Sequence, residues 1–216
     1  MRIAFVLTAL AIARDAPADS VRVREPHPCI ETPLILTAPL PRVVHWAGVL
    51  EPIEVESATS HARAFVRLYA GDGSVDPKAR DTFEQIATNA GEAHPLAARL
   101  EQLVMKAAYH FQKARVLVVS GWRPNAGRHS SGDAVDFKLE GVRAAQLAAY
   151  LRLLPRAGVG VYTHPRTQFV HLDVREPSYH WIDASPPGVK WHEGHLRDPW
   201  ASRRDASWRP EMDLPF

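Results

Sequence analysis

The sequence predicts an α+β domain: a small, mainly antiparallel sheet flanked by helices. Three observations carry that expectation. Short β-prone runs occupy 115–120, 134–139, 158–162 and 169–174, separated by turn residues. Apolar residues recur at helical spacing over 77–89, 95–112 and 142–154. With a first strand over 62–69, the order is strand-helix-helix-strand-strand-helix-strand-strand, which reads as α+β.

In chain order, the alternating stretch 62–69 gives the first strand, and Gly71-Asp72-Gly73-Ser74 gives a turn. Residues 72–76 lack the twelve-residue ligand pattern and terminal Glu of a calcium loop. Asp76 and Pro77 suit the N-cap and first position of a helix whose inner side carries Phe83, Ile86 and Ala87. The second helix aligns Leu96, Leu100, Leu103, Val104, Ala107 and Phe111. The unbroken apolar run before Ser120 predicts a central, buried strand. Residues 134–139 alternate Val135 and Phe137 against Asp136 and Lys138. The third helix carries Leu147, Tyr150, Leu151 and Leu154, and the last two strands pair antiparallel across a polar, Pro-containing loop.

The bulk properties exclude several classes. A chain of 216 residues, 46% hydrophobic and 23% charged, suits one well-buried domain. A net charge of +2 leaves no footprint for nucleic acid. Arg2 precedes an apolar run over 3–13 with an Ala11-Ile12-Ala13 cleavage pattern, which predicts a signal peptide over 1–18 and export to the periplasm or cell envelope. That run is shorter than the ~20 residues a membrane span needs. Cys29 is the only cysteine, so no intramolecular disulfide is possible. Proline clusters toward both ends, predicting an extended arm over 19–60, a folded domain over 61–188 and a Trp- and Pro-rich tail without periodic structure over 189–216.

The chemistry concentrates in two places. His129 and Asp136 are seven positions apart, with Ser130-Ser131-Gly132 between them. On a helix they would stand roughly 10 Å apart, and fully extended more than about 20 Å apart, so sharing a site requires the chain to fold back at that turn. A His and an Asp brought together this way form two-thirds of a three-residue zinc site. His171 and Asp173, two apart in a strand, leave one face together while Val170 and Leu172 face inward. The plainer reading of that pair is the polar side of a surface strand. Against it, burying an unpaired carboxylate is costly, and the pair occurs together with the upstream turn.

Ser120-Gly121-Trp122-Arg123, His129 followed by Gly132, Ala134 and Asp136, Gly158-Val159-Gly160, and Phe169-Val170-His171-Leu172-Asp173 followed by Trp181 occur in that order. Over about 62–181 this set resembles the D-alanyl-D-alanine metallopeptidase and Hedgehog-type zinc superfamily, in particular its murein endopeptidase K-like branch. The resemblance implies a zinc peptidase-like catalytic domain with His129, Asp136 and His171 binding Zn2+ and Arg123 holding the substrate or polarising its carbonyl. Two imidazoles and a carboxylate fit zinc and leave a fourth position for water. Its implied substrate is the peptide portion of peptidoglycan, in stem or cross-link peptides, cut as an endopeptidase or a carboxypeptidase.

Relatives in other branches carry an acidic residue three positions before the last zinc-binding His; here that position is Gln168. Asp173 is then the candidate general base, with an orienting partner for an imidazole as its alternative role. Residues 192–195 lack the His spacing of the zinc-protease helix motif. His164 and Trp122 are candidates for the cleft walls. Rival expectations are a metal- or peptidoglycan-binding module of the same fold without turnover, and an unrelated zinc hydrolase of small amides.

Overall fold

The computed structural model describes residues 41–88, 93–189 and 194–216. The expected signal peptide, Cys29, most of the expected arm, Trp191, His192 and Glu193 lie outside the described residues. The elements, in order, are α1 (Pro41–Val49), β1 (Ile53–Ser57), β2 (Arg63–Val66), α2 (Pro77–Ala87), α3 (Ala98–His110), β3 (Val116–Ser120), β4 (Ala134–Leu139), α4 (Ala144–Leu151), β5 (Ala157–Tyr162), β6 (Phe169–Val174), β7 (Tyr179–Asp183), β8 (Gly194–His195) and α5 (Ala201–Ser207). Short 3₁₀ helices cover Gly127–His129 and Pro210–Asp213. All belong to one compact unit, Leu36–Phe216.

The fold is α+β, and the sheet is larger than expected: among the described residues it has eight strands, in the order β2-β1-β3-β4-β6-β5-β7-β8. It is mixed and largely antiparallel, with β1 parallel to β3 and β5 parallel to β7. The additional strands explain the difference. Residues 53–57, expected in the extended arm, pair on both sides as β1. Residues 179–183, which show no run of aliphatic residues, pair with β5 as β7. The apolar run ending at Ser120 is not covered on both faces: Leu117 and Val119 are only half-buried.

One hydrophobic cluster joins the inward residues of the sheet (Val135, Phe137, Val159, Val161, Val170, Leu172) to Phe83 and Ile86 of α2, Leu100, Leu103 and Val104 of α3, and Leu147 and Leu151 of α4. Each of these side chains contributes about 1.5–3 kcal/mol on leaving water, so this face fixes which residues of β4, β5 and β6 point the other way. At the start of α2, the Asp76 side chain accepts from the Lys78 backbone N–H at 2.9 Å, with Pro77 in the first turn as the sequence implies.

The C-terminal segment, expected to lack periodic structure, is bound into the domain by two buried carboxylates. Asp205 on α5 accepts from the backbone N–H groups of Arg156 (2.6 Å) and Ser178 (2.8 Å) and from the Ser178 hydroxyl (2.7 Å). Asp213 accepts from Arg99 Nε at 2.8 Å and Trp208 Nε1 at 2.9 Å, and the guanidinium groups of Arg99 and Arg156 lie against the Trp208 ring. These side-chain anchors leave no repeating apolar signal in the sequence.

Candidate metal centre

The face of the sheet turned away from that core carries the site. Asp136 of β4 pairs with His171 of β6, His171 with Gly160 of β5, and Gly160 with Trp181 of β7. Paired residues on adjacent strands share a face, so the Asp136 and His171 side chains stand together and the Trp181 indole reaches across β5 toward them. Gly160 is what admits it: a Cβ there would lie 2.3 Å from the indole ring. The neighbouring row repeats the device. Asp173 pairs with Gly158, where a Cβ would lie 2.3 Å from the Asp173 carboxylate and 2.4 Å from Arg175 Nε. The Gly158-Val159-Gly160 motif clears space for the functional side chains of the strands on either side.

His129 reaches the same point from a loop. After its 3₁₀ turn, Gly132 adopts a left-handed φ of +77° with the Pro95 carbonyl packed against its Cα, and its own carbonyl accepts from the Ala97 N–H at 2.9 Å. The turn predicted between His129 and Asp136 thus forms and is docked on the segment leading into α3. One nitrogen or oxygen from each of His129, Asp136 and His171 lies within 4.8 Å of the others, and all three residues are buried.

The hydrogen bonds fix which atoms face inward. His129 Nδ1 donates to the Gly121 carbonyl at 2.7 Å, leaving the Nε2 lone pair directed at His171. His171 Nε2 donates to Asp173 Oδ2 at 3.1 Å, leaving the Nδ1 lone pair directed at Asp136 Oδ1 (2.8 Å) and at His129 Nε2 (3.3 Å). Two lone pairs and a carboxylate converging on one point are satisfied by a cation. Burial opposes charge on Asp136, but with no metal present the imidazoles of His129 and His171, once protonated on the side that faces it, prevail and hold its carboxyl down at about 2. Burial likewise opposes charge on His171, and the flanking Asp136 and Asp173 prevail, raising it to about 9. Both directions record one fact: the site favours positive charge, whether proton or metal. The donor set fits a metal ion.

Asp173 is placed differently from a group open to solvent. It is fully buried, and Arg175 spans both of its oxygens while His171 binds one of them. Burial would raise its carboxyl, but His171 and Arg175 outweigh that and lower it. Asp173 lies behind His171 and does not line the open cleft, which runs in front over about 250 Å³ and is bordered by Ala126, Arg128, His129, His171, Arg175, Tyr179 and Trp181. Arg123 is half-exposed, with Nη2 3.5 Å from Asp136 Oδ2.

Other sequence candidates fall outside the cleft. Gln168 is exposed and donates to the Thr163 carbonyl at 2.6 Å. His164 Nδ1 accepts from the Arg166 N–H within its own loop. Trp122 stacks on His94 and donates to the Ser130 carbonyl at 3.1 Å, bracing the turn that carries His129. His195 stacks on Tyr179. Arg128, Arg175 and Tyr179 were not anticipated. Arg175 had a signal, since the two-residue alternation His171, Asp173, Arg175 continues on one face. Arg128, beside a ligand candidate on an irregular turn, had none.

Fold and donor set together define a class: an α+β protein whose sheet presents a buried His-Asp-His group able to hold a metal at the floor of a cleft. The family model described as peptidoglycan L,D-endopeptidase MepK matches residues 59–181, and the chain belongs to this family, within the D-Ala-D-Ala metallopeptidase superfamily. It is thereby a peptidoglycan peptidase of a metal-dependent family. No curated protein and no solved structure matches the chain.

Proposed function

We propose that the chain is a zinc-dependent endopeptidase that hydrolyses peptide bonds in the cross-link peptides of peptidoglycan, with the L,D-bond specificity of the family it belongs to. The observation that carries this reading is the 3.3 Å approach of His129 Nε2 to His171 Nδ1, each with its other nitrogen engaged by an acceptor. His129, Asp136 and His171 would hold the ion. Zinc supplies Lewis acidity there, making water a better nucleophile near neutral pH and polarising the scissile carbonyl.

The remaining roles belong to side chains. Asp173, which the sequence offers as general base or as orienting partner, takes the second role: it keeps the proton on His171 Nε2 and so presents Nδ1 to the metal. Arg175 keeps Asp173 ionised and fixed. Arg123, on the Asp136 side, stabilises the negative charge that develops on the carbonyl oxygen. Trp181 walls the cleft beside His171, their ring centroids 5.0 Å apart. No helix of the described residues is long and apolar enough to cross a membrane. A peptidoglycan substrate places the working protein outside the cytoplasm, in keeping with the apolar run over 3–13 as an export signal.

Digestion of purified sacculi tests the reading. Zinc-loaded protein should convert cross-linked muropeptides into monomers, and chelator or His129→Ala should stop it. Sacculi left unchanged by fully zinc-loaded protein would sink the proposal.

A further inference from the structure

The charges around the cleft do not balance, and the imbalance has a location. Among the described residues the cleft lining contains two arginines, two histidines and no acid. Among the described residues, Asp173 is the carboxylate that pairs with those arginines, and it is already engaged: Arg175 spans both of its oxygens and His171 donates to one. Arg128 comes no closer to it than 3.6 Å from Nε to Oδ1. One buried carboxylate therefore faces two guanidinium groups, and one positive charge remains beside a site that itself favours a cation.

The two arginines differ in what they can do with that charge. Arg175 is held by Asp173 and lies over the Tyr179 and Trp181 rings, 5.4 and 5.7 Å from their centroids. It is a fixed part of the wall. Arg128 has a side chain 42% exposed; its Nη1 donates to the Val174 carbonyl at 3.1 Å, and its Nη2 bonds to no described residue. That single anchor aims the head group while leaving donors open to the cleft. Arg128 borders the same cleft as His129 and His171, so anything it binds there lies beside the candidate metal ligands. A planar guanidinium with open donors matches a carboxylate in geometry as well as charge.

We propose that Arg128 is a specificity-determining residue that binds a free carboxylate of the substrate close to the bond being cut. The cleft then selects peptides bearing an ionised carboxylate at that position over neutral, amidated ones. This rests on the peptidase reading above and deepens it.

The test compares soluble cross-linked muropeptides with free carboxylates against the same material amidated with carbodiimide and ammonia, using zinc-loaded full-length protein. The free-acid form should be cleaved with a kcat/KM higher by about tenfold to a hundredfold, the span of one charge-assisted hydrogen bond. The difference should lie mainly in KM. Arg128→Met should reduce the ratio to near one, and Arg128→Lys should restore part of it. Equal handling of both forms by the unaltered protein, or a ratio that survives in Arg128→Met, overturns the assignment. So does loss of zinc in Arg128→Met with retention in Arg128→Lys, which would tie Arg128 to the metal instead. Binding of the two preparations, measured by calorimetry with His129→Ala protein that cannot turn over, separates this proposal from the peptidase reading. If nothing is cleaved but Arg128-dependent selection persists in binding, only the peptidase reading falls; if both forms bind alike, the Arg128 assignment falls on its own.

Discussion

His171 stands between two carboxylates, with Nδ1 2.8 Å from Asp136 Oδ1 and Nε2 3.1 Å from Asp173 Oδ2. The two contacts have different consequences. Asp136 lies on the side where His129 and His171 could hold a metal, whereas Asp173, in the orienting role proposed above, would hold the proton on the outward nitrogen and so determine which lone pair is available. A carboxylate serving in this way contributes to metal affinity rather than to proton transfer.

Asp173→Asn keeps the size of the side chain and removes its charge. Zinc affinity, measured by competition with a chromogenic chelator, should fall about tenfold to a hundredfold. Part of the activity should return when zinc is raised to saturation. Unchanged zinc affinity with turnover abolished would instead make Asp173 the base.

Gly160→Ala tests the space that β5 leaves for its neighbours. The added methyl would meet the Trp181 indole at 2.3 Å. Trp181 is almost fully buried, so it can yield only by displacing its surroundings. Overpacking of this kind costs about 1–3 kcal/mol. The variant should melt earlier, show altered tryptophan emission, and lose activity because the wall beside His171 moves. Unaltered emission and activity would mean that Trp181 does not shape the cleft.

Much of this was legible because alternation survives where one face is buried. The bounds of β4 and β6 were readable from Val135 and Phe137 against Asp136, and from Val170 and Leu172 against His171. What hid were elements that adjoin the proline-rich stretch or whose signal is not aliphatic. Pro41 looked like part of an irregular arm, although proline at a first helical position suits α1. Ile53 and Val55 alternate with Glu54 and Glu56, but they adjoin the proline-rich stretch. In β7 the alternation is carried by Tyr179 and Trp181 against His180 and Ile182, with no aliphatic face to announce it. The ligand candidates were legible from the motifs that carry the family resemblance; types and spacing alone offered His129 and Asp136 as two-thirds of a site. The distinction between Asp173 as base and as orienting partner was not, because it depends on Arg175 and on burial behind His171.

Asp205 supplies three of the hydrogen bonds that tie α5 to the loops before β5 and β7. Removing it strands the Arg156 and Ser178 N–H groups, at about 1–3 kcal/mol for each buried group left unpaired. Asp205→Ala should therefore lower stability by roughly 2–4 kcal/mol in denaturant titration and open 201–216 to proteolysis. Asp205→Asn retains an acceptor oxygen and should lose less. A C-terminal segment that stays protected in Asp205→Ala would show that Asp213 and Trp208 hold it alone.

Glu101 gives the fold a pH dependence separate from the metal site. It is fully buried on α3, and Arg80 Nε donates to its Oε2 at 3.0 Å while Arg80 Nη2 also binds Glu84 and the Leu96 carbonyl. Burial pushes the Glu101 carboxyl up from 4.5 to about 8; Arg80 opposes this and the nearby Glu84 adds to it. Between those two values the folded protein keeps a proton that the unfolded chain has released. The resulting stability is fully present below about pH 4.5 and is lost as pH rises through about 8, with a slope of at most about 1.4 kcal/mol per pH unit. Glu101→Gln keeps the acceptor oxygen for Arg80 and removes the titration. Its stability should vary less between pH 5 and 8 than that of the unaltered protein, and it should be at least as stable at pH 8. Parallel stability curves for the two proteins over that range would show that Glu101 is ionised throughout, its charge carried by Arg80.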